Sequence, residues 1–249
     1  MHVDDQRGKW GDTDSPDWLR YFGLHAADLT DDGMKDIVSG RYFYRNPGGD
    51  LTGKWQRVDF GRNVDAILCV DVDGDEFGDV IAQALPDVWW IEAKDRQGSQ
   101  WTFKKIGNVP ETTHVNSQGF GLGQIIGGGK PEVVLAGEDG VHYFEIPANP
   151  DDDACPRTHI TTEAYDEGLD IADMDADGNL DLIAGNGEEY VAWWKNPGTG
   201  KGDWQRYIFG TTHPHPADRI KGMPGVPSPT ISDVKADWSL SGTLPLEKA

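Results

Sequence analysis

The chain has 249 residues and sets 43 Asp and Glu against 22 Lys and Arg, a formal charge of −21. That balance argues against nucleic acid or an anionic membrane surface as a partner. No run of 18 apolar residues offers a membrane insertion, and no signal-peptide h-region is visible, although a mature start would look the same.

The first landmark is Gly8-Lys9-Trp10, followed by Trp18. Next comes an acidic stretch, Asp28-Leu-Thr30-Asp-Asp32-Gly-Met34-Lys-Asp36, entered from an apolar run and followed by the aliphatic run DIVSG. An aromatic run, YFYRNPG from Tyr42, and a Trp-based run, KWQRVDF from Lys54, complete a unit of four short segments. The order then recurs: Asp71-Val-Asp73-Gly-Asp75-Glu-Phe77-Gly-Asp79, DVIAQ, VWWIE and QWTFKKI. A weaker copy runs from Gly119 to Ile160 with EVVLAG, VHYFEIP and PRTHI. Its loop, read from Gly123 to Pro131, carries no carboxylate, and Lys130 stands either as a substitute for a cation's charge or as an ordinary exposed lysine. The last clear copy reads Asp173-Met-Asp175-Ala-Asp177-Gly-Asn179-Leu-Asp181, DLIAG, VAWWKNPG and DWQRYIF.

Loop starts at 28, 71, 123 and 173 lie 43, 52 and 50 residues apart. A period of this length built from four short strands is that of a β-propeller blade. Helical periodicity is absent, and 47 Gly and Pro punctuate the runs. The reading is a single all-β propeller domain over 1–249, with blades at about 20–62, 63–107, 115–161 and 165–210. A fifth blade is shared between 1–19 and 211–249, because His215 to Lys221 looks like a first strand and Gly8-Lys9-Trp10 like a fourth-strand opening. Part of a seven- or eight-bladed ring is the alternative.

In the three acidic loops, oxygen donors at positions one, three, five and nine, with a backbone carbonyl at seven, suit a hard cation, and calcium is the expected occupant. The ligand set is Asp28, Thr30, Asp32, Met34 and Asp36; Asp71, Asp73, Asp75, Phe77 and Asp79; Asp173, Asp175, Asp177, Asn179 and Asp181. Three structural ions would leave the protein acidic. The D-x-[DT]-x-D-x-x-x-D loop followed by an aliphatic strand resembles the FG-GAP/VCBS repeats of integrin α-chain propellers and related microbial proteins. The WWKNPG and HPADRI strings are similar to carbohydrate-related members, including the propeller portion of aldos-2-ulose dehydratase. The resemblance spans about residues 20–221; beyond Gly222 a further acidic loop is missing or degenerate. It implies a calcium-bearing propeller and says little about activity.

In a propeller the first strand of each blade lines the channel, and the face away from the strand 1–2 loops is where ligands gather. Six residues upstream of each loop start stand Phe22, Asp65, Ser117, Glu167 and, by analogy, Asp218; three upstream stand His25, Leu68, Phe120 and Asp170. Asp65, Glu167, Asp218 and Trp18 are therefore ligand-binding candidates. His25, Asp170 and His215 are catalytic candidates, with Asp170 and His25 expected to approach each other so that the carboxylate favours the protonated imidazole. His213-Pro-His215, with His25 and His114, would offer a channel site for a transition metal. Of the ten tryptophans, Trp55, Trp101 and Trp204 recur at one blade position, as do Trp90 and Trp194, which reads as packing between blades. Cys69 and Cys155 sit in unlike settings and read as free thiols.

Recognition of a carbohydrate or similar small ligand is the leading reading. A sugar dehydratase or polysaccharide lyase is the alternative from the enzyme class, and a protein-interaction scaffold is the third. Calcium affinity of such loops leans toward an extracellular or periplasmic setting.

Overall fold

The computed structural model describes residues 23–75, 78–112, 116–117, 119–164, 168–185 and 190–211. All the strands among them are antiparallel and no helix occurs there. Sheet one contains β1 (His25–Ala27), β2 (Asp36–Ser39), β3 (Tyr42–Arg45) and β4 (Gln56–Asp59). Sheet two contains β5 (Asp65–Val70), β6 (Asp79–Ala84), β7 (Asp87–Ala93) and β8 (Trp101–Asn108). Sheet three contains β9 (Phe120–Gly123), β10 (Glu132–Gly137), β11 (Gly140–Phe144) and β12 (Arg157–Thr161). Sheet four contains β13 (Leu169–Ala172), β14 (Asp181–Gly185), β15 (Tyr190–Lys195) and β16 (Gln205–Thr211). Each sheet is an up-and-down meander in chain order, and the first strands pack in succession, β1 against β5, β5 against β9 and β9 against β13. This is a propeller-like all-β fold. The expected closing blade falls outside the described residues except for Thr211, the last residue of β16.

Alternation along the third strands builds the core. Phe43, Trp90 and Tyr143 occupy one register, opposite Val38, Ile81 and Val134, and each is buried toward the following sheet. At the next register Ile91, Phe144 and Trp194 face the preceding sheet. The clusters that result join sheets one and two, two and three, and three and four. Each large side chain so buried contributes about 1.5–3 kcal/mol. This register corrects the sequence reading of the tryptophans: Trp90 is equivalent to Trp193, opposite Ile183, and not to Trp194, which matches Ile91. Trp193 is only half-buried and stacks on Tyr207 at 4.5 Å.

Trp55, Trp101 and Trp204 do share one place, immediately before or at the start of the fourth strand. Each indole N–H donates to a carbonyl of the preceding turn, at Leu51, Gly98 and Gly200. In sheet three the pairing of Phe144 with Arg157 puts Cys155 at this position, packed against the apolar cluster between sheets two and three. It therefore stands in for the tryptophan of the other sheets at the edge of the core. Both cysteines are free thiols, and burial pushes Cys69 up to about 12.

Candidate functional site

The connection from first to second strand has the same design in all four sheets, and its anchor is the residue that opens the second strand. Asp36, Asp79 and Asp181 are fully buried and use both carboxylate oxygens on backbone N–H groups. One oxygen accepts from position two of the loop, at Leu29 (3.2 Å), Val72 (3.2 Å) and Met174 (3.0 Å). The other accepts from the end of the third strand, at Asn46 (2.8 Å), Ala93 (2.9 Å) and Asn196 (2.8 Å). Burial pushes all three carboxyls upward, Asp79 to about 7, and these N–H bonds work against it.

The third sheet follows the same plan one residue later than the sequence suggested. Gly123 pairs with Glu132 just as Ala27 pairs with Asp36, Val70 with Asp79 and Ala172 with Asp181. The loop therefore runs from Gln124 to Glu132, and loop starts at 28, 71, 124 and 173 replace the earlier set. Left-handed glycines at position six agree: Gly33 (φ 84), Gly129 (φ 82) and Gly178 (φ 90). A carboxylate is thus present, because Glu132 accepts from Ile125 N (2.7 Å) and Ile126 N (3.1 Å). Its site differs in what fills the centre. The Gln124 amide donates to the carbonyls of Ile126, Gly128 (3.0 Å) and Lys130 (3.5 Å), at positions three, five and seven. Lys130 does not act as the loop's own cation; its ammonium donates to Val72 O in the neighbouring loop.

In the acidic loops the corresponding centre is lined by carboxylates. Asp28 accepts from Asp32 N (3.2 Å) and Gly33 N (2.8 Å), and Asp173 from Asp177 N (3.1 Å) and Gly178 N (2.9 Å). Asp71, Asp73 and Asp79 bring one oxygen each within 4.8 Å of one another, and so do Asp173, Asp175 and Asp177. Oxygens on a common calcium lie about 2.3–2.6 Å from it and so up to about 5 Å apart, which these trios fit. The 28–36 loop forms no such trio, and Thr30 is buried with its hydroxyl donated to Asp36 rather than held at the loop centre. At position seven, Met34 and Asn179 donate their N–H groups to Asp32 and Asp177, whereas Phe77 lies outside the described residues. Asp75 N donates to Asp73.

Basic side chains pair with acids of two of these loops. Lys195, the last residue of β15, bridges Asp175 and Asp177 (2.8 Å to the latter), which holds Asp177 down to about 2 and raises the lysine. Arg45, its counterpart in β3, reaches 3.8 Å from Asp32, and Arg96 pairs with Asp31. At the same register β7 carries Glu92, bonded to Thr102 (2.9 Å) and Lys94.

At the opposite ends of the first strands, Asp65 corrects the sequence reading. It is fully buried, accepts twice from Gly23 N (3.0 and 3.0 Å) and once from Asn116 (3.1 Å), and so ties sheet two to the segments before β1 and β9. Gln83 and Ser117 make a second such tie through bonds of 2.7 and 2.9 Å. His25 and Asp170 do share a register on β1 and β13, with Leu68 and, after the one-residue correction, Gly121 in place of Phe120 on the other two. Asp170 is exposed and accepts from Ile171 N (2.8 Å). His25 is half-buried; burial lowers its pKa, opposed by a bond to the Ile67 backbone and aided by Lys35. The expected stabilisation of its protonated form by a carboxylate is not found. Trp18, Glu167, His114, His213, His215 and Asp218 lie outside the described residues.

No family model and no curated protein matches this chain. Among solved structures it is similar to an Agrocybe aegerita lectin, described by its specific recognition of non-reducing terminal N-acetylglucosamine. The identity is 19%, the TM-score 0.51, and the match covers 74% of this chain and 51% of that one, so the chain spans about half of the lectin's length. The likeness is one of fold.

Proposed function

We propose that this chain is a calcium-stabilised propeller of the FG-GAP/VCBS type, read as five-bladed, which recognises a carbohydrate on the face away from its acidic loops. One observation carries the placement of the ligand. At a register filled by Leu68 and Gly121 in sheets two and three, β1 and β13 hold His25 and the exposed Asp170. An exposed carboxylate accepts sugar hydroxyls readily, and a single polar pair among aliphatic equivalents suits one site rather than a repeated packing role. The lectin-like fold supports the same class of ligand. Calcium's part is structural: neutralising carboxylates within 4.8 Å of one another couples ion binding to folding. Such dependence suits an extracellular or periplasmic setting.

The test has two arms. At free calcium about 100 times its dissociation constant, each ion adds about 2.7 kcal/mol to stability, so chelation lowers the melting temperature. Elemental analysis that finds no calcium, together with melting indifferent to EDTA, removes the calcium reading. On a glycan array in calcium buffer the folded wild type retains a glycan and Asp170→Asn loses it with its melting temperature intact. A folded wild type that retains no glycan removes the carbohydrate reading.

A further inference from the structure

The acidic loops are not equivalent, and the residue that separates them is on the neighbouring strand. Arg45, Glu92 and Lys195 occupy one register at the end of the third strand, one residue before the Asn46, Ala93 and Asn196 amides that bind the position-nine aspartates. In sheet four this residue lies inside the acid cluster. Lys195 joins Asp175 to Asp177, two of the three carboxylates that converge there. In sheet two the register holds an anion, and the convergent trio Asp71, Asp73 and Asp79 takes no lysine or arginine ion pair among the described residues.

We propose, resting on the calcium reading above, that Lys195 is a built-in competitor for the metal at the 173–181 loop, so that the 71–79 loop fills first. A lysine ammonium and a divalent ion held on the same two carboxylates repel each other and compete for the same negative charge. Calcium therefore enters the 173–181 loop only as Lys195 leaves, and its apparent affinity falls by the strength of the lysine bridge. Solvent-exposed ion pairs are screened and individually weak, so two of them make the expected handicap a few-fold. The consequence is a loop that stays charge-compensated without metal and exchanges one cation for another as calcium rises, while the trio Asp71, Asp73 and Asp79 has no lysine or arginine ion pair among the described residues to play that part.

Glycine amides report each loop separately. Gly178 N donates to Asp173 and Gly74 N to Asp71, so glycine-labelled protein in a calcium titration gives one midpoint per loop by NMR. In the wild type the Gly74 resonance moves at lower free calcium than Gly178. Lys195→Met lowers the Gly178 midpoint at least twofold and leaves Gly74 in place. An unchanged or raised Gly178 midpoint in Lys195→Met, or Gly178 moving before Gly74 in the wild type, overturns the proposal while the calcium reading stands. If neither glycine moves in either protein, the calcium reading itself fails and this inference with it. Should Lys195→Met not fold, Lys195→Gln keeps a polar end on the same stem and is held to the same outcomes.

Discussion

Replacing Gln124 tests whether the loop of sheet three is closed by its own amide. In Gln124→Ala the bonds to the Ile126, Gly128 and Lys130 carbonyls are lost; the residue is exposed, so water recovers part of each. At about 0.5–1.5 kcal/mol per bond, and with the 3.5 Å contact weak, the expected loss is about 1–2 kcal/mol. For a protein of this size that is about 3–6 °C in melting temperature. The loss is the same with calcium and with EDTA. Gln124→Glu is sharper, because it sets a carboxylate against three carbonyls and near Glu132. In EDTA it falls below Gln124→Ala, and calcium restores it by supplying the missing positive centre. Differential scanning calorimetry of the wild type and both variants in the two buffers reads all six values. If Gln124→Glu melts with the wild type in EDTA, the amide is not holding the loop.

Three other perturbations follow from the same geometry. Asp181→Asn replaces a carboxylate whose two oxygens each accept a backbone N–H with an amide that must turn a donor toward one of them, and costs about 2 kcal/mol in chelated protein, measured by urea denaturation; Glu132→Gln, whose two N–H partners share Oε2, keeps an oxygen for both and costs less. Asp65→Ala leaves Gly23 N and the Asn116 amide without their buried acceptor and costs about 3 kcal/mol or more, so loss of ligand binding in that variant would report unfolding. His142 faces Asp139, His159 and Arg157, with one ring nitrogen buried and unpartnered, and burial lowers its pKa below 6.5. A depressed histidine contributes stability that is whole above pH 6.5 and is lost as pH falls through the folded value. His142→Phe, which puts an aromatic ring where Tyr42 and Trp89 stand in sheets one and two, removes that slope. Unfolding free energies at pH 7.5 and 5.5 that differ equally in both proteins would contradict this.

Much of the fold was legible because its signals are local. Carboxylates at odd positions of a short loop, a β-branched strand after them and a Trp before the fourth strand each repeat at fixed offsets. Register was less legible. In the third copy Pro131 and three glycines gave no side-chain landmark, and only the pairing of Gly123 with Glu132 showed that the loop begins at Gln124. The two Trp-Trp pairs misled for a similar reason: a one-residue offset moves a side chain to the other face of its sheet, and adjacent tryptophans hide the offset. Asp65 looked like a channel residue because polar residues on inner strands suggest solvent. Its partners are backbone N–H and an amide distant in sequence, which no local pattern reveals. The cation-like role of the Gln124 amide left no trace in a motif built on acids.

The loop of the third sheet is closed by its own Gln124 amide, and on the calcium proposal that has a consequence for how the array comes apart. Repeats that contact mainly their neighbours have stabilities that add as unit and interface contributions, so the most self-sufficient unit is the last to yield. Sheet three touches sheet two through Trp90 and Phe144 and sheet four through Tyr143 and Trp194, and each neighbour carries a convergent acid trio. If the trios hold calcium as proposed, its withdrawal weakens the units on both sides of one that is unchanged, sheet two more than sheet four, where Lys195 compensates part of the charge. Opening then proceeds inward from the flanks, and slow amide exchange contracts onto β10 and β11. Restoring the ion lets the chain re-form outward from a template that was never lost.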